Sequence, residues 1–140
     1  MEIKVKKLST EATIPTKANN SDAGWDLYVS EDAIIDPSKS ELVSTHISFA
    51  IPEGYVGLIW DRSSMAAKRG LHRFAGVIDS GYRGEVKVCL WNSSDKYWVI
   101  NQGERIAQIL FQEGPHFTMK EVESLDDTDR GEGGFGSSGL

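Results

Sequence analysis

Asp79 is the residue of this 140-residue chain best placed to do chemistry, standing in Gly76-Val77-Ile78-Asp79-Ser80-Gly81-Tyr82-Arg83-Gly84-Glu85. A carboxylate at the end of an apolar strand can be held rigid yet face a cleft, where it can take a proton from water. Asp-Ser-Gly is also good turn chemistry, and residue type alone favours the turn-former. Upstream, Arg62-Ser63-Ser64 opens a segment with a capping serine, helix formers, basic residues in its last turn and a terminating Gly70. This predicts a helix of about two turns directly after a strand. A strand leading into a helix N-terminus makes an anion cradle, with plain N-capping by Ser63 the competing account. Gln108, on an alternating strand, can donate to a phosphate oxygen or simply face solvent. Towards the end, Arg130 and Phe135 stand alone among glycines and serines. A bare tail needs neither, whereas an arm lying over a ligand can stack Phe135 on a ring and set Arg130 against a charge.

The elements that must position these groups are mainly strands. Ile47–Ile51, Tyr55–Trp60, Glu85–Trp91 and Arg105–Phe111 alternate apolar and polar residues, and Met1–Leu8 alternates apolar with charged ones. Turn clusters recur at short spacing, at Asn19-Asn20-Ser21, Asp36-Pro37-Ser38, Asn92-Ser93-Ser94-Asp95 and Gly114-Pro115. Many short strands so punctuated favour a barrel or sandwich over an α/β fold. The chain has the size of one domain, with 39% hydrophobic and 26% charged residues and no apolar run long enough for a membrane span. The division expected is a β domain over residues 1–125 and a glycine-rich arm over 126–140.

A formal net charge of −6 argues against polymeric DNA or RNA as a partner but not against a small phosphorylated ligand. Such a ligand needs only backbone N–H groups and one or two arginines. Cys89 is the single cysteine and reads as a half-buried structural thiol. The N-terminal residues form neither a signal nor a transit peptide pattern, so the expected compartment is the cytoplasm.

Five segments, in order, resemble the five motifs of the trimeric dUTPase family. They are Asp22–Tyr28, Asp61–Ala66, Gly76–Glu85, Gly103–Phe111 and the tail from Arg130 to Gly139. The resemblance implies an all-β protomer, a distorted β-barrel or jelly roll of the β-clip kind, with one short helix and a flexible C-terminal arm. It also implies a homotrimer with shared active sites, and hydrolysis of dUTP to dUMP and pyrophosphate with Mg²⁺. Asp79 is then the residue that activates the water attacking the α-phosphorus. Gly76, Val77 and Ile78, with a tight hairpin through Gly81, would read uracil largely by backbone groups, and Tyr82 would pack beneath the deoxyribose. Arg62, Ser63, Ser64 and Gln108 would meet phosphate oxygens. Arg130 and Ser137, with Ser138, would meet the γ-phosphate, Phe135 and Gly136 would cover the base, and Asp26 would act on the metal indirectly, through water. No dedicated metal cage is expected, because Mg²⁺ keeps several waters and binds mainly substrate phosphates. The second motif departs from the family's usual pattern: Asp61 stands where a proline is common and Ser64 where a glycine often is. Asp61 is expected to point away and pair with a basic neighbour. On the same fold, a dCTP deaminase-related enzyme and a regulatory binding protein are the alternatives.

Overall fold

The computed structural model describes residues 1–139. Eleven strands run in chain order: β1 Lys4–Lys7, β2 Trp25–Tyr28, β3 Ala33–Ile35, β4 Ser40–Ser44, β5 Ile47–Ala50, β6 Tyr55–Asp61, β7 Leu71–Phe74, β8 Val77–Ile78, β9 Lys87–Asn92, β10 Trp98–Ile100 and β11 Arg105–Glu113. They pair antiparallel into a four-stranded sheet β2-β11-β6-β8, a three-stranded sheet β4-β9-β7, and the pairs β1-β5 and β3-β10. The two larger sheets share one core, in which Leu27, Ile59 and Ile109 of the first meet Val43, Leu71 and Leu90 of the second. Fully burying each such side chain stabilises the fold by roughly 1.5–3 kcal/mol. The fold class is the expected one, all-β and jelly-roll-like, although the sheets remain open and do not close into a barrel.

Local departures from regular pairing aim the site. On β11, Arg105 faces Tyr28 and Ala107 faces Leu27, so Ile106 is the extra residue of a β-bulge. The bulge resets the side-chain alternation: Ile106 and Ala107 are both buried, and Gln108 turns towards an open cleft. Cys89 is half-buried between the buried Val88 and Leu90, as a structural thiol should be.

One expectation is refined and another is corrected. The helix predicted from Ser63 forms, with Ser63 and Ser64 in α winding, but Met65–Arg69 is π-wound and Ser64 makes no side-chain cap bond. Its wide winding lets the Gly70 N–H reach both Ala66 O and Met65 O before the chain reverses into β7. The correction concerns Val77–Ile78, expected to form a hairpin with the strand beginning near Glu85. β8 instead pairs with β6, Val77 opposite Leu58 and Ile78 opposite Gly57, while β9 belongs to the other sheet. The segment 79–86 is therefore a loop bridging two sheets.

Candidate active site

One cleft, of about 520 Å³, opens beside the ends of β2, β6 and β11, and its lining includes Asp22, Asp26, Arg62, Ser63, Arg105 and Gln108. Asp26 organises it. Its Oδ1 accepts from Arg62 Nε at 2.9 Å and its Oδ2 from Arg105 Nη1 at 3.2 Å. Arg62 Nη1 also donates to Arg105 O at 3.3 Å, so the two guanidinium groups are fixed around one carboxylate. Charge-assisted bonds of this kind hold a cation in place better than neutral ones do. Gln108 is set by another route: its Nε2 donates to Asp61 O at 2.9 Å, and its side chain fills the space that Gly24, lacking a Cβ, leaves open. Ser64 lies on a neighbouring depression with Lys68 and Arg69.

Asp61 does point away from this cleft. Its Oδ1 accepts from the Arg73 backbone N–H at 2.7 Å, and its Oδ2 lies 3.2 Å from His72 Nδ1. The carboxylate that breaks the usual motif thus ties β6 to β7, and only its backbone carbonyl serves the cleft, by holding Gln108.

Asp79 lies elsewhere, exposed on a second cleft of about 370 Å³ with Leu42, Val77, Ile78, Tyr82 and Lys87. The turn it begins is closed by Tyr82 N donating to Asp79 O at 3.1 Å, through the backbone and not through the carboxylate. Gly76, just before, adopts φ +110, a conformation that L side chains rarely adopt. A Cβ there would lie 3.1 Å from Ile59 O, so glycine is required twice over at the approach to β8. Beyond Asp79, Arg83 Nη1 donates to Ser80 O at 2.6 Å and to Tyr82 O at 2.9 Å, bracing the loop from within.

The tail forms a third group. Arg130, Phe135, Gly136, Ser137 and Ser138 surround one hollow of their own, shaped by turns such as Ser137 N to Gly134 O at 3.0 Å. Arg130 Nε donates to Gly133 O at 2.9 Å. Phe135 is fully exposed at φ +51, so nothing on the body covers its ring.

One chain thus distributes the predicted residues over three places. The β8–β6 register pairs Ile78 with Gly57; carried one residue past β8, it sets Asp79 near Val56, six residues along the chain from Arg62. At about 3.3 Å per residue, that is roughly 20 Å. Several residues of these places lie outside what the motifs single out by type. Arg105 in the Asp26 clamp carries a visible charge, but Gly24 and Gly84 act only through the side chains folded over them, which no spacing displays.

Comparisons with known proteins give the family. The sequence profile of the dUTPase family matches residues 10–139. The deoxyuridine 5'-triphosphate nucleotidohydrolase of Corynebacterium glutamicum is 46% identical over 98% of this chain and 94% of its own length. A probable deoxyuridine 5'-triphosphate nucleotidohydrolase of Schizosaccharomyces pombe is 44% identical with both chains covered in full, 100% each. Among solved structures, the dUTPase of Staphylococcus bacteriophage 80alpha with dUpNHpp superposes with a TM-score of 0.93 at 31% identity, covering 99% of each chain. The dUTPase from phage phi11 of S. aureus, in a mutant form described for its coordination of a structural Mg(II) ion, gives a TM-score of 0.85 at 25% identity over 91% of this chain and 100% of that one. With a profile match over nearly its whole length and relatives this similar, the chain belongs to the dUTPase family.

Proposed function

We propose that this chain hydrolyses dUTP to dUMP and pyrophosphate, with Asp79 taking the proton of the water that attacks the α-phosphorus. The observation that carries the mechanism is the setting of Asp79. Its carboxylate is exposed on a cleft, while the strand before it is anchored to β6 and its turn is closed by backbone alone. A base held this way is aimed without being consumed by structure. Gly76, Val77 and Ile78 would meet the uracil and Tyr82 the deoxyribose. Arg62, Ser63, Ser64 and Gln108 would meet the phosphates, and Arg130, Phe135, Gly136 and Ser137 would close over the bound nucleotide.

Mg²⁺ fits this reading in one form only. Among the described residues no cluster of three His, Cys, Asp or Glu side chains could hold a metal. Asp26 uses two of its roughly four lone-pair sites on arginines, which leaves others to accept from metal-bound waters. A hydrated Mg²⁺ carried on the phosphates, beside Asp26 and Asp22, suits that donor set and would neutralise phosphate charge.

The roughly 20 Å between Asp79 and Arg62 supports an oligomer with shared sites. A base must lie within about 3 Å of the proton it takes, or one water away, so cradle and base in one chain cannot serve one α-phosphorus. A second copy must bring its Arg62 cleft to the first copy's Asp79. The tail then suits a third, with Phe135 fully exposed, and a closed ring of three copies satisfies all three needs. Among the described residues no helix is long and apolar enough to cross a membrane.

Pyrophosphate release with Mg²⁺ from a panel of dUTP, dTTP, UTP and dCTP should proceed fastest with dUTP. Preference for dTTP or UTP, or loss of the amino group from dCTP, would sink the proposal. Neither a deaminase nor a regulatory binding role is favoured by relatives named as nucleotidohydrolases. A second expectation concerns the tail. Truncation after Asp129 should leave a folded oligomer whose activity is lower by at least roughly tenfold to a hundredfold, since base stacking alone is worth about 1–3 kcal/mol. Loss of the folded state on truncation would instead make the tail a structural element.

A further inference from the structure

We infer that Gly84, which makes no polar contact with substrate in this reading, is a positioning residue that sets sugar selectivity through Tyr82. The inference rests on Tyr82 being the neighbour of the deoxyribose. A Cβ on Gly84 would lie 2.5 Å from Tyr82 Oη, 2.6 Å from Cζ and 2.9 Å from Cε2. Gly84 is not among the glycines with positive φ, so the backbone itself does not demand glycine here. Space for the Tyr82 ring does. The ring folds back across the chain, and its hydroxyl donates to Glu85 O at 2.8 Å.

The backbone around Gly84 has little room to yield. Arg83 O accepts from Ser48 Oγ at 2.6 Å, Glu85 Oε1 accepts from His46 N at 2.9 Å, and Val86 N donates to Ile47 O at 2.8 Å. Tyr82, by contrast, is 44% exposed and its side chain is held by a single hydrogen bond. A methyl group at position 84 therefore displaces the ring and not the loop. To restore ordinary carbon contacts of about 3.5–4 Å, the ring must retreat by roughly 1 Å. Displacements of that size at a site cost up to about a hundredfold in rate when they misplace reacting groups. With Tyr82 packed beneath the deoxyribose, the displaced ring is the group that a 2′-hydroxyl would run into.

The test compares Gly84→Ala, Tyr82→Ala and the double variant, using kcat/KM for dUTP and for UTP together with the melting temperature. Gly84→Ala should lower the dUTP-to-UTP ratio by on the order of tenfold to a hundredfold, the range that steric discrimination of one small group reaches. The same substitution should be silent, within about twofold, in the Tyr82→Ala background, because the three atoms nearest that Cβ all belong to Tyr82. An unchanged ratio in Gly84→Ala, with Tyr82→Ala lowering it, would overturn the inference and leave the reading of Tyr82 intact. An equal loss from Gly84→Ala in both backgrounds would make residue 84 merely structural, and that too overturns it. If Tyr82→Ala leaves the ratio unmoved, the assignment of Tyr82 falls and takes the inference with it.

Discussion

Asp79→Asn is expected to lower kcat for pyrophosphate release by roughly 10²–10⁴-fold, the contribution general-base catalysis makes. Asparagine has nearly the same shape but cannot take a proton from water. The change is a clean one, because the turn is closed by the backbone carbonyl of residue 79 and does not depend on the carboxylate. The strand before it remains paired to β6 through Val77 and Ile78. An exposed, near-isosteric substitution of this sort should shift stability by no more than about 0.5 kcal/mol. Binding of a non-hydrolysable dUTP analogue, measured by calorimetry, should survive in the variant. If kcat stays within about tenfold of wild type, Asp79 is a turn residue and the water is activated elsewhere.

That outcome matters because residue type alone cannot separate the two roles. What the chain displays locally was readable: the alternation of Tyr55–Trp60 and Arg105–Phe111 appears as β6 and β11, each slightly longer than its pattern. The electrostatic argument about Asp61 held for a similarly local reason. A carboxylate beside a proposed phosphate site must find a cation or an N–H donor, and His72 and Arg73 lie close by on β7. Strand pairing is a different matter. Val77–Ile78 carries the same residues whether it pairs with β9 or with β6, and the choice depends on a register set across the sheet with Gly57 and Leu58. Winding is equally hidden, since Met65-Ala66-Ala67-Lys68-Arg69 suits an α turn as well as the π turn it adopts. The bulge at Ile106 belongs to the same class, yet without it Gln108 would not open to the cleft.

Mixing two inactive variants should restore activity, and this follows from the separation between base and cradle. Asp79→Asn removes the proposed base and leaves the Arg62 cleft intact. Arg62→Ala removes part of the cradle and leaves Asp79 intact, and Asp26 keeps its bond from Arg105 at 3.2 Å. If each site takes its base from one copy and its cradle from the next, a site is whole when an Arg62→Ala chain supplies Asp79 beside an Asp79→Asn chain supplying Arg62. In a closed ring of randomly mixed copies at equal amounts, each condition is met half the time, so about a quarter of the sites are whole. Activity should therefore rise from the parents' low level to about a quarter of wild type after co-refolding or co-expression, and only in mixed oligomers confirmed by mass. Sites built within single chains allow no such recovery, since every chain then carries its own defect. Absence of complementation in a verified mixed oligomer would mean that a motion within one chain brings Arg62 to Asp79. The pairing of Val77 and Ile78 with Leu58 and Gly57, directly before Asp79, argues that the strands cannot make that motion without unpairing.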